Sequence, residues 1–290
     1  MKNHAKVYTA ILGGIVAAGV ATAFDWPQPE IMSDSFFSYF GQLRGDTTSA
    51  SLIFEEPAEI RAADSGRILV ILEEHDSANW FDSTLGNAVV VSHTDNMVTV
   101  YGNLDAEELS PELDTMTDVQ SGSVLGKSGN SGWQNGQSCL EFQVADTKNR
   151  TAINPRVLMP RIGKELTLTV ANLCAISKTG EVYDFATRRN LPAGTYLLYR
   201  ERQGVSMPFK TIVFINGTVV ETTSYDLLRQ SDGRLCVSGK NLYPVEKVYP
   251  SQKLHLLGEI NISRGHNTIS AAVTDILGKE YTITYNIDAY

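Results

Sequence analysis

Few side chains in this sequence could do chemistry, and they are scattered. Between Pro57 and Gly163 the only histidines are His75 and His93. His75 lies in Glu73-Glu74-His75-Asp76, a charged run that reads as a solvated turn. Its acids could attract a divalent cation weakly, but no ligand-spacing rule is met. His93 ends an apolar strand-like run and is expected to serve structure. Cys139 and Glu141 stand two apart, so on a strand they share one face. With one borrowed ligand they could hold zinc, yet a catalytic zinc needs about three protein ligands and an open position for water. A Cys139 nucleophile would need a base beside it, and only His93 or His75 could serve. Ordinary packing is the expected role of both Cys139 and Glu141.

The elements that would position these residues are strands. Arg67–Leu72, Ala88–Val91 and Met97–Tyr101 are apolar and rich in β-formers, with Gly, Asn, Asp and Ser clusters between them. The acidic stretch Asp105–Asp118 reads as a connecting loop with one helical turn. The glycine-rich stretch Gly122–Gly136 reads as short strands and tight turns. After Gly163 the texture changes to strict alternation. It begins at Leu166, Leu168 and Val170 and continues through Thr195–Arg200, Lys210–Ile215, Leu254–Ile262, Thr268–Val273 and Tyr281–Ile287. Period-two alternation means one buried and one wet face, and regular strand spacing suggests a β-sandwich. His255 is expected on a wet face. Asn216-Gly217 between two apolar runs predicts a two-residue hairpin.

At 290 residues the chain should hold about two domains. Its 33 acids against 24 Lys and Arg give a net charge of −9. A nucleic-acid partner, which needs a basic face, is not expected. Lys2 and Lys6 precede an apolar small-residue run that ends Ala21-Thr22-Ala23. Residues 1–23 therefore read as a signal peptide, with an uncleaved N-terminal membrane anchor as the rival. Either way the body is expected outside the cytoplasm: periplasm, cell envelope or beyond. Residues 24–50 read as a linker or N-terminal extension. Asp25-Trp26-Pro27-Gln28-Pro29 suggests an extended tether, and the aromatic cluster Phe36–Phe40 suggests that part of it packs. The 3 cysteines leave a possible Cys174–Cys236 bridge, against two buried free thiols.

Residues 51–163 resemble the lysostaphin/LytM-type zinc peptidases, which cut peptide cross-bridges in bacterial peptidoglycan. Ile60-Arg61-Ala62-Ala63-Asp64-Ser65-Gly66-Arg67-Ile68 is similar to that family's V-x-A-x-x-x-G-x-V strand and turn. Gly86–His93 resembles its G-x-x-V-x-I-x-H strand, and Thr99–Leu104 its T-x-Y-x-H-L. The glycines Gly122, Gly126, Gly129 and Gly132 follow its glycine spacing, and Asn154-Pro155 resembles its closing D-P. The resemblance implies a small antiparallel β-fold. It also locates a site that has lost its chemistry. The H-x-x-x-D pair that would bind zinc falls near Thr48 and Ser51. Cys139 stands for the first His of H-x-H and Glu141 for the metal-binding second His. Asn103 replaces the His that would assist proton transfer. No cofactor is therefore expected, zinc only if substituted ligands serve. The loops carrying Trp80, Phe81, Trp133 and His75 would border the groove as possible peptide contacts.

The whole is thus expected to be an all-β chain, with a LytM-type antiparallel sheet domain over 51–163 and an Ig-like β-sandwich over 164–290. The second assignment rests on Gly265–Tyr281, which resembles the last hairpin of bacterial Ig-like domains, with Asp275 and Gly278 at its turn. The expected function is binding without catalysis: to peptidoglycan, or to a cell-wall hydrolase or other envelope protein that it regulates. Two alternatives stay open, an active zinc peptidase using Glu141 and Cys139, and a structural or adhesive envelope protein.

Overall fold

The computed structural model describes residues 24–73, 83–132 and 138–290. The signal-peptide reading and the proposed contacts Trp80, Phe81, Trp133 and His75 lie outside these described residues.

The described chain is nearly all strand. The N-terminal half supplies β1 (Phe36–Ser38), β2 (Leu43–Arg44), β3 (Thr47–Thr48), β4 (Ser51–Phe54), β5 (Glu59–Arg61), β6 (Gly66–Leu72), β7 (Asn87–Ser92), β8 (Met97–Leu104), β9 (Asp118–Val119), β10 (Val124–Lys127), β11 (Glu141–Asp146) and β12 (Thr151–Ile153). The C-terminal half supplies β13 (Cys174–Ser177), β14 (Val182–Asp184), β15 (Asn190–Leu191), β16 (Gly194–Glu201), β17 (Lys210–Ile215), β18 (Thr218–Ser231), β19 (Arg234–Ser238), β20 (Leu242–Tyr243), β21 (Leu254–Ile262), β22 (Gly265–Thr274) and β23 (Glu280–Ala289).

In the first half the sheet runs β9-β6-β7-β8-β11. Strand β11 pairs β8 along one edge. On its other edge β4 covers residues 141–143 and β12 covers 144–146. Leu140, Phe142 and Val144 pack inward with Leu52, Phe54 and Tyr101, so the alternate residues Glu141 and Gln143 face away from that core.

In the second half β14-β13-β16-β21 faces the sheet β15-β23-β22-β17-β18. Ala175, Leu198, Leu257 and Ile260 meet Val213, Ile269, Ala271 and Ile287 between them, all buried. The predicted hairpin forms: Ile215 pairs with Thr218, and Asn216 and Gly217 take φ of 51° and 79°. Positive φ at both central residues gives the turn whose twist matches its strands. The Asp275 turn also forms, its carboxylate accepting from the Leu277 and Lys279 amides.

The two halves share one sheet. Ala152 of β12 stands opposite Leu228 of β18, and Asn154 donates to the Tyr225 carbonyl at 2.9 Å. One buried cluster runs across this seam from Phe40 and Leu52 to Tyr199, Tyr225 and Tyr249.

Three expectations need correction. Residues 24–29 are no free tether: Phe24 is buried, the Trp26 indole donates to the Pro160 carbonyl, and the Arg61 amide donates to Pro27. Aromatic burial holds this segment on the domain, as it holds Phe36, Tyr39 and Phe40. The alternating stretch Leu166–Val170 joins no strand. The Gln203 side chain bonds the Thr169 amide and the Thr167 carbonyl, in place of a neighbouring backbone. His255 is wholly buried, because this end of β21 is covered on both faces. Leu256 packs in the core shared with the first half and Leu257 in the sandwich. His255 accepts or donates at 2.6 Å to the Tyr225 hydroxyl and stacks on Tyr249. Burial, reinforced by Arg200 and Arg202, pushes its pKa well below the usual value. The cysteines Cys139, Cys174 and Cys236 are all unbridged and buried.

Candidate functional site

The site is organised around one carboxylate. Glu141 is 2% exposed, and its Oε1 accepts from Arg44 Nη1 at 2.6 Å, Ser51 Oγ at 2.6 Å and Gln143 Nε2 at 3.2 Å. Strand pairing explains the convergence. Ser51 stands opposite Gln143 in the β4–β11 ladder, and Gln143 shares the face of Glu141. Arg44 arrives on the small β2–β3 hairpin, in which it pairs with Thr47 across a turn containing Gly45 at φ 58°. Burial alone would raise the Glu141 pKa. The hydrogen bonds from Arg44 and Ser51 outweigh it and hold the carboxyl below its usual 4.5.

Above this pair lies a groove of about 620 Å³, lined by Arg44, Thr48, Ser51, Leu85, Glu141 and Gln143. Thr48 is buried, and its hydroxyl has no hydrogen-bond partner among the described residues. Thr48, Ser51 and Glu141, singled out by resemblance, are therefore brought to one groove. Gly45, Thr47 and Leu235 are shared with a second hollow of about 890 Å³. That hollow is also lined by Arg234 and Glu246 of the second half, so the two hollows adjoin where the halves meet.

Cys139 and Asn103 do a different job. Asn103 sits at φ 62° at the end of β8, donates to the carbonyls of Gly129 and Cys139 at 2.8 and 2.6 Å, and accepts from the Gly132 amide at 2.7 Å. It ties the glycine loop to β8 and to the start of β11. Gly129 is obligatory there: a Cβ would lie 2.5 Å from the Asp105 nitrogen. Burial pushes the Cys139 thiol up to about 11, the wrong direction for a nucleophile. His93 bonds Thr99 Oγ1 at 2.7 Å and the Ser65 carbonyl at 3.0 Å, and touches no residue of the groove's lining named above. It is a framework histidine.

Arg44 was not legible as a site residue. It lies in the segment expected to be linker, and only the turn-forming Gly45-Asp46 hinted at a hairpin that could deliver it.

The model of "Peptidase family M23" matches residues 48–155, and a second family model, without a functional description, matches 167–290. An uncharacterised protein of Treponema pallidum (strain Nichols) is 31% identical over 131 residues, which are 42% of this chain and 87% of the relative. Among solved structures, a mutant catalytic domain of the prophage-encoded M23 protein EnpA from Enterococcus faecalis is 23% identical at a TM-score of 0.34. It covers 44% of this chain and 95% of its own. The SpoIIIAH–SpoIIQ complex contributes a chain 20% identical at a TM-score of 0.35, covering 46% and 96%.

Zinc peptidases of this kind imply a metal at the groove, and the described residues do not fit one. The side-chain oxygen donors that line it are hydroxyls, one amide and a single carboxylate. No cluster of three or more His, Cys, Asp or Glu occurs among the described residues. The cation beside Glu141 is already there, as a guanidinium at 2.6 Å. A zinc ion would have to displace it and would find, among the described residues, fewer than the about three protein ligands it requires.

Proposed function

We propose, from the premise that this chain belongs through residues 48–155 to peptidase family M23, that its M23 domain binds peptide without cutting it. The Arg44–Glu141 ion pair carries this reading. It fills with a fixed cation the place where hydrolysis would need a metal and its activated water. What is left is a binding surface. The groove has a lining of mixed polarity, the part-exposed Gln143 amide within it, and strand-built walls suited to extended backbone. Acting outside the cytoplasm, the domain would hold the peptides of peptidoglycan, or a segment of the envelope hydrolase it regulates.

Co-sedimentation of the full chain with purified peptidoglycan sacculi tests this. The expected result is retention in the pellet with no release of soluble fragments. Retention should weaken in Gln143→Leu, which removes the part-exposed amide that lines the groove. Solubilisation of sacculi, lost in Glu141→Gln, would establish a peptidase instead. Absence of retention, together with no effect on added cell-wall hydrolases, would remove the binding reading.

A further inference from the structure

The first sheet nears its end at β6, whose outer edge the two-residue strand β9 covers only in part. Strand β6 contains five consecutive apolar residues, Ile68–Leu72, yet not one residue of β6 is buried. Leu69 and Val70 are 56% and 41% exposed. Its inner edge pairs β7. On its outer edge β9 pairs only Gly66 and Arg67, and the Ile68 amide donates to Thr117. From Leu69 to Leu72 no described strand takes the outer backbone groups. A free apolar edge is a template for another strand, and proteins usually blunt it with Lys, Pro or a strong bulge. Among the described residues from Leu69 to Leu72, the one such device is the register shift between Ile68 and Val70.

The surroundings indicate what the edge receives. Beside its end lies a hollow of about 320 Å³ lined by Ile71, Leu109, Pro111 and Leu113, with Glu73 at its margin. Exposed Glu107, Glu108 and Glu112 flank those lining residues in sequence. Lys127 is engaged by Glu108 at 3.0 Å. An apolar hollow with Glu73 in its wall, on a stretch rich in exposed acids, calls for aliphatic and basic side chains in one segment. A second copy of this chain would bring the same acids against them, and a nucleic acid would bring more negative charge.

We propose that the outer edge of β6 receives an extended segment of a partner protein, in which aliphatic residues alternate with Lys or Arg. Its backbone continues the sheet beyond Leu69–Leu72, one aliphatic side chain enters the hollow at Ile71, and its cations meet Glu73, Glu107 and Glu112. This surface shares no residue with the groove at Glu141 and stands whether or not that groove binds peptidoglycan.

The test uses three dye-labelled synthetic peptides against the full chain, read by fluorescence anisotropy and amide hydrogen exchange. One alternates Lys and Val, the second is the same peptide N-methylated on alternate residues, and the third alternates Glu and Val. The first should bind about tenfold or more tighter than either control, and should protect the amides of Leu69–Leu72 from exchange. Leu69→Ser, which adds no charge, should weaken it with little change in melting temperature, while sacculus retention stays as in the parent chain. Equal binding of the N-methylated peptide, or unprotected Leu69–Leu72 amides, would reduce the effect to charge attraction and overturn the proposal. So would a concentration-dependent dimer in sedimentation velocity that Leu69→Ser abolishes, since the edge would then belong to a second copy.

Discussion

At Glu141 three donors share one carboxylate oxygen, and this fixes how the residue responds to pH. Its folded-state pKa lies below 4.5, so its contribution to stability is present above that value. It is lost as pH falls through the lower folded value. Glu141→Ala strands the guanidinium of Arg44 and two further donors, and should cost about 2 kcal/mol at neutral pH in urea denaturation. Glu141→Gln keeps the shape without the charge. The stability difference between the parent chain and Glu141→Gln should therefore shrink as pH drops from about 6 to about 3. A difference that stays constant over that range would mean that the carboxylate is not ion-paired in solution.

Elements decide which residues become site residues, and they also decide what a sequence reveals. Glu141, Ser51 and Thr48 were legible because motif spacing carries strand register, and register carries the face on which a side chain lies. Asn103 and Cys139 were located by the same spacing. Their roles were not, since both serve a loop held by Gly129 and Gly132 rather than the groove. Arg44 was hidden because two-residue strands such as β2 and β3 are too short to show any period. His255 was misplaced for the opposite reason. Alternation reports one wet face, and at His255 both faces are covered. Strand β6 is the reverse case, a continuous apolar run that stands at an edge with no residue fully buried.

Across the whole molecule the β12–β18 ladder and the shared core make the two halves mechanically one sheet. That continuity is what brings the hollows at Glu141 and at Arg234 side by side. All tryptophans, Trp26, Trp80 and Trp133, lie in the first half, so their fluorescence reports on that half alone. Leu228 is fully buried in the second half opposite Ala152. Leu228→Ala should cost about 3 kcal/mol and lower the midpoints of tryptophan fluorescence and far-ultraviolet circular dichroism together. A tryptophan transition that stays in place while the dichroism shifts would mean that the halves unfold separately.

The central claim is that a protein cation has replaced the metal of an M23 site. It is tested most directly by the zinc content of the untagged full chain after equilibrium dialysis against zinc, read by elemental analysis beside Arg44→Ala and Glu141→Gln. The prediction is zinc far below one per chain in the parent protein, unchanged in Glu141→Gln. One zinc per chain, lost in Glu141→Gln, would contradict it and restore Glu141 as a metal ligand.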